Sequence, residues 1–272
     1  MNPAPLTYLF VPGNRPERFD KAAGCGTHAV ILDLEDAVVP EHKRQAREDV
    51  GRWLQARERG KVSLLVRIND ASTPWFSEEL DWLAHAAPDG IMLPKAEDPE
   101  QVRQVVRRLP AGCALVLLVE TARGVSAAGA LADVPGVQRL AFGTIDYALD
   151  LDLPDDERGL LHAASVLAIE SRRAGLAAPI AGVTAALEDP ARLLADWSFA
   201  RATGFGAKMC IHPSQVLTLH QAMQPTPAEI DWAQRVVAAA QASPGAARVD
   251  GRMVDKPVLQ KAQALLTRIS LS

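Results

Sequence analysis

The chain has 272 residues, 48% of them apolar, with 29 basic against 33 acidic side chains and a formal net charge of -4. That balance excludes a nucleic-acid binder held by counterion release, and the longest apolar stretch, 113–119, is far short of the roughly 18 residues that cross a bilayer. Three scattered cysteines, Cys25, Cys113 and Cys210, make neither a disulfide framework nor a CxxC zinc pair. The start Met1-Asn2-Pro3-Ala4-Pro5 has no signal-peptide pattern, so a cytoplasmic location is expected.

In chain order the hydrophobic pattern predicts a strand at 7–11 and a helix at 15–24, then strand 29–35 and helix 43–59, strand 63–68 and helix 77–85, strand 90–94 and helix 99–109. The second half continues with strand 114–120 and helix 124–132, strand 139–143 and helix 160–174, strand 179–184 and helix 190–203, and strand 206–211 and helix 213–222. Runs such as LLVRI, LVLLV and AVILDL are nearly continuously apolar rather than alternating, which suits strands covered on both faces of a parallel sheet. Eight strand–helix units predict an α/β fold, a closed (β/α)8 TIM barrel over 1–224; an open doubly wound sheet is the alternative, because periodicity does not fix closure. The rest, 225–272, reads as an appendage: a helix at 227–243, a hairpin across Asp250-Gly251 and a helix at 257–269. Asp-Gly accepts the two positive φ angles of a type I′ turn.

Active sites of such barrels lie where the strands end, and here those ends are polar. They carry Asp33, Glu35 and Asp36; Arg67 and Asn69; Lys95; Glu120; Asp146; Thr184; and Lys208 with His212. Glu120 and Asp146, one strand apart, match the one or two carboxylates that usually hold Mg²⁺, other positions going to water and substrate oxygens. The competing assignment pairs each with Arg67, Lys95 or Arg123 in a rim salt bridge. Arg67 lies in an apolar strand and needs an anion, either a substrate carboxylate or Glu35. Glu35 and Asp36, with Lys95, are expected behind the reacting groups rather than on them. Arg15, Arg18 and Lys21 sit at a predicted helix start, which suits either an anion such as a coenzyme A phosphate or a solvated basic face. His212, just before Pro213, fits a structural hydrogen-bonder as well as a general base. No GxGxxG or GxxxxGK[ST] loop follows a strand, so nucleotide readings lack their signature.

The segments LFVPG at 9–13 and VILDLEDAV at 30–38 resemble the citrate lyase beta-subunit-like family, related to malyl-CoA and citramalyl-CoA lyases within the HpcH/HpaI aldolases. Further matching blocks are VRIN at 66–69, MLPK at 92–95, VETARG at 119–124, FGTID at 142–146, CIHPSQ at 210–215 and GRMVDKP at 251–257. The resemblance implies a (β/α)8 barrel, commonly a homotrimer, with Mg²⁺ on Glu120 and Asp146 and a keto-acid carboxylate and carbonyl on Arg67. It implies reversible cleavage of a 3-hydroxy-acyl thioester (citramalyl, malyl or citryl type, on CoA or a carrier protein) into an acyl thioester and a 2-oxo acid. It also makes Asp255, in the C-terminal hairpin segment, an acid/base that reaches a neighbouring subunit's site. Ile145, Ala181 and the Gly206-Ala207-Lys208 sequence depart from the family pattern. Two other functions stay open: a pyruvate-type aldolase acting on free acids, and a non-catalytic oxo-acid or CoA-binding homologue.

Overall fold

The computed structural model describes residues 4–57, 60–154, 156–242 and 247–269. Eight parallel strands close on themselves in sequence order: β1 (Thr7–Pro12), β2 (Ala29–Asp33), β3 (Ser63–Arg67), β4 (Gly90–Leu93), β5 (Ala114–Val119), β6 (Val137–Phe142), β7 (Ile180–Ala181) and β8 (Ala207–Cys210). Closure is made by β1 against β8, with Thr7 opposite Lys208 and Leu9 opposite Cys210. The helices around them are α1 (Phe19–Ala23), α2 (Lys43–Ala56), α3 (Phe76–Ala86), α4 (Pro99–Arg108), α5 (Ala122–Ala132), α6 (Thr144–Asp150), α7 (Leu161–Arg173), α8 (Pro190–Ala202) and α9 (Pro213–Met223).

Strand side chains alternate between faces, and that parity builds two layers of core. Tyr8, Ala29, Ile31, Leu65, Met92, Val116, Leu118, Ala141, Ile180, Ala207 and Met209 fill the barrel. Residues of opposite parity, such as Leu32, Val66, Ile91, Leu117 and Phe142, are buried too and face the helices; each such aliphatic side chain contributes about 1.5–3 kcal/mol relative to exposure. Helix starts are set by caps: Asp98, Thr121 and Asp189 accept from the backbone N–H groups of Glu100, Gly124 and Arg192, each worth about 1 kcal/mol. At the end opposite the mouth, Arg139 donates to the carbonyls of Ala178 and Pro5 and to the Tyr8 hydroxyl.

Three elements differ from the sequence reading. The seventh strand shrinks to Ile180–Ala181, because Gly182 and the residues after it leave the ladder. The short helix α6 has no counterpart among the predicted elements; at seven residues it is too brief for a 3.6-residue period to show. The first predicted helix becomes a 3-10 turn at Pro16–Arg18 and a helix of five residues, since Arg15-Pro16 prevents an earlier start.

The chain divides into two compact units, Met1–Leu219 and His220–Ser272. The second contains α10 (Pro227–Ala242), β9 (Arg248–Val249), β10 (Arg252–Met253) and α11 (Lys256–Ile269). Its core is Ala233, Val236, Ala247, Val254 and Ala262, with Trp232, Leu259 and Leu265 against them. Asp250 and Gly251 take φ of 52° and 75°, the positive angles a type I′ turn requires. The end of the predicted helix at Ser243 lies outside the described residues. Among the described residues, no helix is long and apolar enough to cross a membrane.

Candidate functional site

Parity carries the barrel's inner face upward into the mouth. Two residues beyond Tyr8, Ile31, Leu65 and Leu118 come Phe10, Asp33, Arg67 and Glu120, and two beyond Ala141 comes Gly143. The barrel interior therefore changes from apolar to charged in a single layer. At its centre Arg67 forms a fork on Asp33, Nε to Oδ1 and Nη2 to Oδ2, both at 2.7 Å. Its Nη1 lies 2.9 Å from Glu35 Oε2 and 3.3 Å from Asp36 Oδ2, and its guanidinium stacks 4.8 Å above the Phe10 ring. The Glu35 contact is ionic without hydrogen-bond alignment, leaving Oε2 without a formal donor. Burial opposes the Arg67 charge, but Asp33 and then Glu35 and Asp36 outweigh it and raise its pKa. The sequence offered Glu35 as the internal partner; the bidentate partner is Asp33, which a two-carboxylate fork geometry favours.

Behind this layer a second set of polar side chains locks the β2 and β3 ends. Lys43, from the first turn of α2, donates to the carbonyls of Leu34 and Glu35 and to Asn69 Oδ1. Glu79 of α3 accepts from the Asn69 backbone N–H and side-chain amide, both at 2.7 Å. Burial raises Glu79 to about 7. Glu35 rises to about 8, again through burial first, with Arg67 opposing and Asp36, Glu120 and Asp33 adding to it. Lys43 and Glu79 were not singled out in the sequence, because a basic residue opening one helix and an acid opening the next look like solvated positions.

Glu120 is 2% exposed. Its Oε1 accepts the Lys95 backbone N–H at 2.8 Å, which Lys95 presents by taking a left-handed φ of 46°. The Lys95 side chain is half exposed and reaches Asp70 at 3.3 Å and Glu35 at 3.7 Å. Glu120 is pushed up to about 7, by burial first and against the Lys95 hydrogen bond, with Asp146 raising it further. Gly143 makes room for it: a Cβ there would lie 2.6 Å from Glu120 Oε2. Asp146 stands in the first turn of α6, partly exposed. Arg123, named as a salt-bridge partner for the carboxylates, points instead to Glu97 at 3.7 Å. Neither Glu120 nor Asp146 is in an ion pair among the described residues.

The remaining sequence candidates are placed elsewhere. Arg15 pairs with Glu17 at 2.6 Å, Arg18 lies 3.9 Å from the same carboxylate, and Lys21 is exposed. The helix behind them is too short to present a strong N-terminal dipole, so an anion there would rest on side-chain charge. Asp255 caps α11, accepting the Val258 N–H at 3.0 Å. His212 shares its Nδ1 with the Ser214 hydroxyl and backbone N–H, which makes it a local cap on α9. Lys208 is not at the mouth: its neighbours Ala207 and Met209 point inward, so it faces the helix layer.

A parallel barrel whose C-terminal mouth presents two carboxylates without an ion pair among the described residues, beside a clamped arginine, has the donor set of a site for a metal ion and a small anion. Residues 6–213 match the HpcH/HpaI aldolase/citrate lyase family, and the chain belongs to that family. It is 38% identical to a citrate lyase subunit beta-like protein of Deinococcus radiodurans, over 95% of each chain. It is 33% identical to a (3S)-malyl-CoA thioesterase of Cereibacter sphaeroides, over 94% of each. Among solved structures it resembles the CitE protein of Mycobacterium tuberculosis in complex with magnesium, acetoacetate and coenzyme A, with a TM-score of 0.87, 32% identity, and coverage of 99% of this chain and 100% of that one.

Proposed function

We propose that this protein is a Mg²⁺-dependent carbon–carbon lyase or synthase that interconverts a 3-hydroxy-acyl thioester with an acyl thioester and a 2-oxo acid. The observation that carries the reading is the buried Glu120, its Oε2 against the bare Cα of Gly143 and its charge opposed by Asp146. A buried carboxylate whose ionisation a second carboxylate disfavours, with no ion pair to either among the described residues, fits a divalent ion; Mg²⁺ commonly takes only one or two carboxylates and completes its shell with water and substrate. No cluster of three or more His, Cys, Asp or Glu is formed among the described residues, which suits that sparse coordination and not a closed zinc site. When bound, the ion supplies Lewis acidity to the oxo-acid oxygens.

The chain's own groups do the rest. Arg67 has five N–H donors, of which three go to Asp33 and Asp36, so it retains donors for a substrate oxygen while Asp33 and Phe10 fix its plane. A cation held this way stabilises the alkoxide charge on the oxygen that belongs to the oxo acid, charge that builds as the carbon–carbon bond forms and passes to the acyl-thioester enolate as it breaks. The proton on the acyl methyl carbon is assigned to Asp255, whose second oxygen is left over after capping α11, in a homotrimer that shares its sites between subunits. Arg15, Arg18 and Lys21 are assigned to the phosphates of the thioester carrier.

The test is a panel of malyl-, citramalyl- and citryl-thioesters, on CoA and on carrier protein, incubated with and without Mg²⁺ and read by mass spectrometry. Release of an acyl thioester and a 2-oxo acid only with Mg²⁺ supports the reading. The thioesterase relative favours a second one, hydrolysis to free CoA and a hydroxy acid, and the same products separate the two. Mixing Glu120→Gln with Asp255→Asn protein restores activity if sites are shared; failure of the mixture to exceed its components overturns the shared site.

A further inference from the structure

A cavity of about 470 Å³ lies outside the barrel, between the β6–β8 strands and the helices α6, α7 and α8. That volume falls within the roughly 300–1,000 Å³ of small-molecule sites. Its lining is mainly apolar, including Phe142, Leu153, Leu160, Ala164, Phe199 and Phe205. Lys208 also lines it. Parity turns this side chain away from the barrel interior, and it is 2% exposed. Its Nζ donates to the Gly182 carbonyl at 2.7 Å, and among the described residues it makes no ion pair.

An ammonium has three donors, so two have no acceptor among the described residues, in a setting where an unpaired charge is costly. The acid of the cavity whose charge acts on Lys208, Asp196, is already engaged, Oδ1 by Arg192 at 2.7 Å and Oδ2 by the Thr184 hydroxyl. A structural lysine would have been drawn onto Asp196. This one is instead held by a single carbonyl at the edge of an apolar space. Burial lowers Lys208 to about 8, with the Asp196 charge offsetting only part of that.

We propose that this cavity is a second ligand site, separate from the mouth, that takes a small carboxylate with an apolar tail. The carboxylate sits on Lys208 Nζ, filling its two open donors, and the tail lies against Phe142, Leu153 and Phe199. Glu120, Asp146 and Arg67 take no part in it, and the site stands whether or not the lyase reading does.

The experiment titrates hexanoate and its uncharged analogue hexanamide into the full chain by calorimetry, in EDTA so that no metal bridges a carboxylate at the mouth. Hexanoate should give a single-site isotherm, hexanamide should bind at least about tenfold more weakly, and Lys208→Met should remove that preference, the scale of one charge-assisted hydrogen bond. Glu120→Gln should leave hexanoate affinity unchanged. The proposal is overturned if hexanoate does not bind, if the two ligands bind the wild type equally well, if Lys208→Met binds hexanoate as the wild type does, or if Glu120→Gln abolishes binding. The comparison of the two ligands on the wild type decides the matter even if Lys208→Met does not fold.

Discussion

The two sides of the mouth are built on opposite principles. On the β2–β4 side the polar groups are cross-linked: Arg67 to Asp33, Glu35 and Asp36, Lys95 to Asp70, and Lys43 to Glu79 through the amide of Asn69. On the β6–β8 side β7 is two residues long, Ile145 is exposed and Asp146 has no ion-pair partner among the described residues. Under the proposed function, cross-linked charge would give a rigid reference for one end of a substrate, while unlinked charge and open backbone would leave the other end adaptable; the departures from the family pattern at Ile145 and Ala181 both fall there.

The contrast can be broken most severely at Asp33. Asp33→Asn leaves a buried guanidinium facing one oxygen in place of a carboxylate fork, and removing one partner of a buried pair costs about 3–5 kcal/mol; denaturant unfolding should show it, with turnover lost in parallel. Glu120→Gln should instead fold as the wild type does and lose about 100- to 1,000-fold in kcat/KM, together with its calorimetric Mg²⁺ signal. Retention of that signal would move the metal elsewhere. Gly143→Ala drives a methyl group onto Glu120 Oε2 and should cost about 1–3 kcal/mol by overpacking, with a rise in the Mg²⁺ dissociation constant.

A fourth test sharpens the contrast through pH. Glu35, Glu79 and Glu120 all have folded pKa values raised to between about 7 and 8, so each binds its proton more tightly folded than unfolded. Their contribution is fully present below the usual glutamate pKa of about 4.3 and is lost as pH rises through 7 to 8. Metal-free protein should therefore show a falling denaturation midpoint from pH 5 to 8. Mg²⁺ should restore part of it at pH 8 in the wild type and none in Glu120→Gln, which is the smallest of the expected effects.

Much of this arrangement is written in strand parity. Once 29–35, 63–68 and 114–120 are read as strands, the residues two beyond the last inward apolar side chain are Asp33, Arg67 and Glu120, and their meeting follows from closure. Asp146 is harder, because it is placed by a seven-residue helix whose sequence has no period to recognise. Lys43 and Glu79 are harder still: nothing local distinguishes a buried helix-start charge from an exposed one, and only the packing of α2 and α3 over the strand ends decides it. Lys208 shows the reverse error. Its position at the end of an apolar strand suggested the mouth, whereas counting from Ala207 would have turned it outward.

The ladder between β1 and β8 has a consequence for how the molecule comes into being. It joins Thr7 to Lys208, some 200 residues apart along the chain, the most distant kind of contact and the slowest to form. During synthesis the β1 edge waits unpaired until almost the whole barrel has been made, an open edge of the kind that recruits other chains. A chain cut short before Ala207 would never satisfy it. Joining the unit's ends and reopening the circle at a surface loop would shorten that wait without altering a residue of the mouth.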